Sequence, residues 1–170
     1  MSSTWSSRYK AHVLAAYLRG HLLGASGGIR LAEHLAADPW SQGRLDGLPG
    51  ELREEISFTK RWTQSLSGFR ESWLGLNLAS TAAVSAVLKP FSPARGTVRR
   101  ALSLETMRSM VLAKKAMWEM GLALYPEDSD LWRELSFHDD QALSQAALLH
   151  QLHCQAVSEA YSQKAQMSLD

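Results

Sequence analysis

A chain of 170 residues, 45% of them hydrophobic, is long enough to bury one sizeable core and gives no reason to look for a second domain. Its 18 Lys and Arg stand against 17 Asp and Glu, which excludes a global field that would draw in nucleic acid, so no sequence-specific nucleic-acid binding is expected. The single cysteine, Cys154, excludes an intrachain disulfide framework and a cysteine-only metal site, and it fits a reducing compartment.

The first residues show no basic segment followed by an apolar core and a small-residue cleavage site. The longest weakly polar run, residues 74–88, falls short of the roughly 20 apolar residues that a spanning helix needs and carries Asn77, Ser80, Thr81 and Ser85. A cytoplasmic protein without a transmembrane segment is expected.

From about residue 8 to 37, Leu14, Leu18, Leu22, Ala25, Ile29, Ala32 and Leu35 recur at the three- and four-residue spacing of an amphipathic helix. Gly20, Gly24, Gly27 and Gly28 interrupt it, and each interior glycine costs about 0.8–1 kcal/mol relative to alanine. Small residues at this spacing let a neighbouring helix or an aromatic ring approach closely, so close packing is expected there, with a bound ligand as the alternative. Asp38-Pro39 ends the helix, because proline disfavours helical backbone in the residue before it. Residues 40–50 read as a loop. A second helix follows over about 51–73, opened by Glu51, Glu54 and Glu55 at the positive end of its dipole and carrying Leu52, Ile56, Trp62, Leu66, Phe69 and Trp73 on its apolar face. Glu55 and Thr59 fall on that same face.

Residues 79–88 read as a short extra helix stopped by Lys89-Pro90. The linker after it gathers Lys89, Arg95, Arg99 and Arg100, a basic strip expected to be exposed and available to dock an acidic partner, a phosphate or a membrane surface. Ser103 is the expected N-cap of the third long helix, whose apolar line Leu104, Met107, Val111, Trp118 and Leu122 is broken by Lys114. A lysine on a core-facing step asks for a carboxylate, and Glu55 is the expected partner. Pro126 to Ser129 opens a fourth helix running to about residue 164, with Leu131, Leu135, Ala142, Leu149, Leu152, Ala156 and Ala160 inward and Gln145 among them. Alternation of period two fails everywhere, so no strand is expected. The architecture is all-α: an antiparallel four-helix bundle with a short extra helix in the connection between the second and third long helices.

Bundles of this kind can hold a carboxylate-bridged metal pair, which needs Glu-x-x-His on two helices; that motif is absent, so no di-metal centre and no cofactor are expected. His150, His153 and Cys154 could offer a soft ligand set, but two histidines one turn apart need a third ligand from elsewhere, and exposed histidines are the default. Cys154, away from any helix N-terminus that would lower its pKa, is expected to be a small buried hydrophobe and not a nucleophile. No glycine loop lies between strand and helix, so no phosphate-binding loop is present. What remains is an inward polar set of His21, Glu55, Lys114 and Gln145, one from each long helix.

With those positions in place, residues 17–161 resemble a family of small, mainly actinobacterial, uncharacterised proteins grouped with ferritin-like bundles. The resemblance rests on His21-Leu22-x-Gly24-Ala25-x-Gly27-Gly28 with Leu31 and Ala32, on Glu55-Ile56, on Leu88-Lys89-Pro90, on Leu104-Glu105 with Val111, Lys114 and Trp118, and on Gln145 with Leu149 and Leu152. It implies a ferritin-like fold. Where the family pattern has acids, this chain has Thr59 and His150, which thins out the carboxylates that a metal would need. The leading expectation is a non-catalytic bundle acting through oligomerisation or a protein partner, with Trp5, Trp40 and Trp132 near helix ends where an interface could use them. Two alternatives are a small-molecule binder or enzyme built on the inward polar set, and a degenerate ferritin-like metal binder.

Overall fold

The computed structural model describes residues 3–67 and 96–167, with side chains described over 9–66 and 96–162. Four long helices make up almost all of it: α1 (Ser3–Ala36), α2 (Leu48–Ser67), α3 (Thr97–Leu124) and α4 (Asp130–Met167), with a 3-10 turn at Pro39–Ser41. No strand occurs among the described residues. The expected extra helix, the end of the second helix beyond Ser67, and Lys89 and Arg95 lie outside them.

Each helix buries one face at the spacing its sequence carries. In α1 this is Ala15, Leu18, Leu31, Ala32 and Leu35; in α2, Leu48, Leu52, Phe58 and Trp62; in α3, Ala101, Leu104, Met107, Val111, Met117 and Trp118; in α4, Leu135, Ala142, Ala146, Leu149, Leu152 and Ala156. α1 lies along α2, α3 along α4, and α1 also meets α3. Side-chain pairs fix the directions. Glu55 meets Lys114 and Trp62 Nε1 donates to Tyr125 Oη at 3.1 Å, so contacts climb together and α2 runs parallel to α3. Lys115 meets Asp139 while Glu105 and His153 line one groove, so α4 runs back along α3. At one end the chain is clasped across a long sequence separation, with Trp40 Nε1 donating to Glu159 at 2.7 Å and Arg44 to Gln155 at 3.3 Å.

Three local expectations are corrected. The second helix begins at Leu48 rather than Glu51, since Glu51 N–H already donates to the Gly47 carbonyl. The third begins at Thr97, so Ser103 is a buried interior residue and not a cap; the position before Thr97 is Gly96, at φ 60°, with no capping side chain. Arg99 and Arg100 therefore sit in the first turn of α3. There Arg100 is half-buried, its Nε donates to Asp38 Oδ2 at 2.8 Å and its guanidinium lies 4.8 Å from the Trp40 ring, so it ties α3 to the end of α1. Its charge at the positive end of a helix is thus balanced by Asp38, whose carboxyl it holds below the ordinary value. The fourth start is as expected: Ser129 Oγ accepts the Trp132 N–H at 3.1 Å.

Among the described residues the tightest approach to a glycine is in α3 and not at the glycines of α1. A Cβ on Gly121 would lie 2.8 Å from Trp62 and 3.0 Å from Leu135, so this position in α3 lets α2 and α4 close over it. A Cβ on Gly20 or Gly24 would meet nothing within 4 Å among the described residues, and one on Gly28 meets the flexible end of Met110 at 3.1 Å. Gly121→Ala is expected to destabilise by about 1–3 kcal/mol through overpacking, while Gly24→Ala stabilises by up to about 1 kcal/mol through helix propensity. Urea melts of the two variants check the opposite signs.

Candidate functional site

The lysine that interrupts the apolar line of α3 is where the helices converge. Lys114 Nζ donates to Glu55 Oε2 of α2 and to Gln145 Oε1 of α4 at 2.7 Å. The Gln145 amide in turn donates to Glu55 Oε1 at 3.1 Å and to Glu51 Oε2 at 2.8 Å. Lysine, glutamate and glutamine therefore close a triangle in which both carboxylate oxygens of Glu55 and every hydrogen-bonding group of Gln145 are used. The Glu55 side chain is 2% exposed and that of Lys114 15%.

Removal from water pushes Glu55 up and Lys114 down, each against the pull of the other's charge. Two N–H groups of Lys114 are committed to hydrogen bonds with Glu55 and Gln145. Thr59 Oγ1 donates to the Glu55 carbonyl at 2.8 Å and Thr63 Oγ1 to the Thr59 carbonyl at 2.7 Å, so the buried hydroxyls on this face of α2 are satisfied within their own helix.

Of the four inward polar residues predicted from periodicity, the structure joins Glu55, Lys114 and Gln145. Glu51 is a fourth member that the reading assigned to the helix dipole alone; its signal was its place one turn before Glu55. His21 stands apart, with no hydrogen bond to the other three. Its ring meets Tyr17 edge-on at 4.8 Å, and burial lowers its pKa, leaving it neutral near pH 7.

His21 nevertheless looks onto the same space. A cavity of about 240 Å³ lies between α1, α2 and α3, walled by Gly20, Gly24 and Gly28 on one side and by Glu55, Ile56, Thr59, Met107, Met110, Lys114 and Trp118 on the other. Gly20, Gly24 and Gly28 thus border a space, and none of them receives a ring from the described residues. Trp118 forms its floor and packs away from it into an aromatic cluster: Trp62 at 6.3 Å, Phe58 at 5.6 Å and His138 stacked at 5.2 Å. Trp118 Nε1 and His138 Nδ1 are buried without a hydrogen-bond partner among the described residues.

The basic strip is not gathered in the described residues. Arg100 is engaged by Asp38 and Trp40, which corrects the expectation that it is exposed; Arg99 is exposed, and Lys89 and Arg95 lie outside the described residues. Cys154 is likewise corrected, being exposed on α4 and not a buried hydrophobe. No helix among the described residues is long and apolar enough to cross a membrane. No family model matches the chain, and no characterised protein or solved structure is significantly similar to it.

Replacing Lys114 alone by Met strands Glu55 in the core and is expected to cost about 3–5 kcal/mol, whereas Glu55→Leu combined with Lys114→Met is much milder. A double-mutant cycle from urea melts measures this, and a coupling near zero would show that the pair contributes nothing. A second expectation concerns His138, whose pKa burial lowers from 6.5. A folded-state pKa below the unfolded one favours the neutral ring, so this stability is present above pH about 6.5 and is lost as the pH falls below it through the lower folded-state value. His138→Phe is expected to lose less stability than the parent between pH 7.5 and 5.5; equal losses would place the acid sensitivity elsewhere.

Proposed function

We propose that this chain is a non-catalytic, ferritin-like bundle that binds a small, neutral and mainly apolar molecule carrying one hydrogen-bonding oxygen. The observation that carries this reading is the cavity of about 240 Å³ against the glycine face of α1. It exceeds the ~150 Å³ of an engineered apolar cavity that takes up benzene. Gly20 and Gly24 give up helix propensity without gaining a packing contact among the described residues, which is intelligible if the space has an occupant.

The polar groups around the cavity define the ligand's chemistry. Leu22, Ile56, Met107, Met110 and Trp118 suit an apolar body. Lys114 keeps one ammonium proton beyond those given to Glu55 and Gln145, and neutral His21 can donate or accept. Lys114 in the cavity wall is already paired with Glu55, so an anionic ligand meets a carboxylate and no unpaired positive charge. An alcohol, phenol or ketone fits; a carboxylate does not.

The ferritin-like arrangement is part of the same reading. Its support is the parallel run of α2 and α3, which in such bundles accompanies one long connection between the second and third helices. The single exposed cysteine fits the cytoplasm. Self-association is a second reading, favoured by Tyr9, Val13 and Tyr17, exposed at four-residue steps along the first half of α1.

Phenol and benzoate serve as probes in NMR titrations of the full chain. Saturable shifts of residues around the cavity are expected with phenol and not with benzoate, and Gly24→Leu, which projects into the open space, should abolish them while the melting temperature is kept. Equal response to benzoate, or undiminished phenol binding by the Gly24→Leu variant, would overturn the reading. Light scattering on the same samples gives the oligomeric state on which the second reading depends.

A further inference from the structure

One exposed turn of α4 carries three groups that the cavity does not involve. His150, His153 and Cys154 stand at positions i, i+3 and i+4, which share a helix face. Their ligand atoms all lie within 4.8 Å of one another, and Cys154 Sγ is 3.8 Å from both ring nitrogens of His150. His150 and Cys154 are exposed and His153 is half-buried, so the two outer side chains can turn without disturbing the core. From these positions we propose that His150, His153 and Cys154 form a zinc site on the outer face of α4.

The argument begins with distance. Zinc bonds sulfur at about 2.3 Å and imidazole nitrogen at about 2.0–2.1 Å, which places the ligands of one tetrahedral ion roughly 3.5 Å apart. The 3.8 Å between Cys154 Sγ and the His150 ring nitrogens is already close to that value, and all three ligand atoms lie within 4.8 Å of one another. Chemistry then selects the ion. Two imidazoles and a thiolate are borderline-soft donors that suit zinc, whereas calcium and magnesium take oxygen ligands, which this set lacks. Two histidines one turn apart need a third ligand, and the exposed Cys154 offers one from the same turn.

Three protein ligands leave one coordination position for water or for a group brought by another molecule. Glu105 of α3 lines the same surface groove as His153. The aromatic cluster, the cavity and the buried triangle involve none of these ligands, so the zinc site and the proposed ligand cavity stand or fall separately.

Cobalt(II) replaces zinc as a visible probe. Reduced, metal-free full chain titrated with cobalt is expected to develop a thiolate-to-metal charge-transfer band that saturates at one equivalent and is bleached by zinc. Cys154→Ser should abolish the band. His150→Gln and His153→Gln should each weaken zinc binding, read by competition with a chromogenic chelator, by more than the roughly tenfold that losing an outer-shell partner costs. His34→Gln, which changes an exposed histidine on α1, should leave binding unchanged. Circular dichroism confirms that each variant is folded. Absence of the charge-transfer band, its persistence in the His150→Gln/His153→Gln double variant, or saturation at half an equivalent per chain would overturn the single-chain site.

Discussion

The constraint on which this bundle depends is a dehydrated ammonium. Lys114 is drawn into the contact between α2, α3 and α4, where an unpaired charge is intolerable, so Glu55 and Gln145 must stand at its height. Each of the three helices contributes one member. A slide of any one by a single turn, about 5.4 Å, leaves a charge or an amide unsatisfied in the core. α1 contributes nothing to the triangle, and it is α1 that stands off with its glycines to leave the cavity.

Trp118 marks the boundary between two kinds of interior. On one side, Phe58, Trp62 and His138 pack ring against ring, with Gly121 admitting Trp62 and Leu135 at distances no side chain would allow. On the other, the Met107, Met110 and Val111 side of α3 faces open space toward α1. The tight half sets the register of the bundle and the loose half borders the cavity. Methionine suits that border, since its flexible thioether can follow an occupant's shape.

Much of the helical content was legible because period 3.6 survives even where single residues mislead. The break at Lys114 was legible for the same reason: a charge on an apolar line is an anomaly with a definite physical cost. Helix direction was less so, since periodicity gives a face and no sense, and the parallel run of α2 and α3 that brings Glu55 level with Lys114 appears only in space. Ser103 read as a cap because its composition suits one, yet Arg100 gains Asp38 and Trp40 only if the helix starts earlier. Glu51 served both the dipole and Gln145, and the first role hid the second. Cys154 followed residue-type burial preferences, which say little about one position near the edge of a helix face.

The clasp and the triangle also bear on how the chain is born. Gln145 stands 90 residues after Glu55, and Glu159 stands 119 after Trp40. At synthesis rates of about 5–20 residues per second, several seconds separate the emergence of Glu55 from that of its amide partner. Throughout that interval the nascent α1–α2 hairpin holds a carboxylate on its apolar face and cannot dehydrate it. α4 is therefore the helix that lets the core close, and a chain stalled before it presents chaperones with an unfinished, half-charged apolar surface.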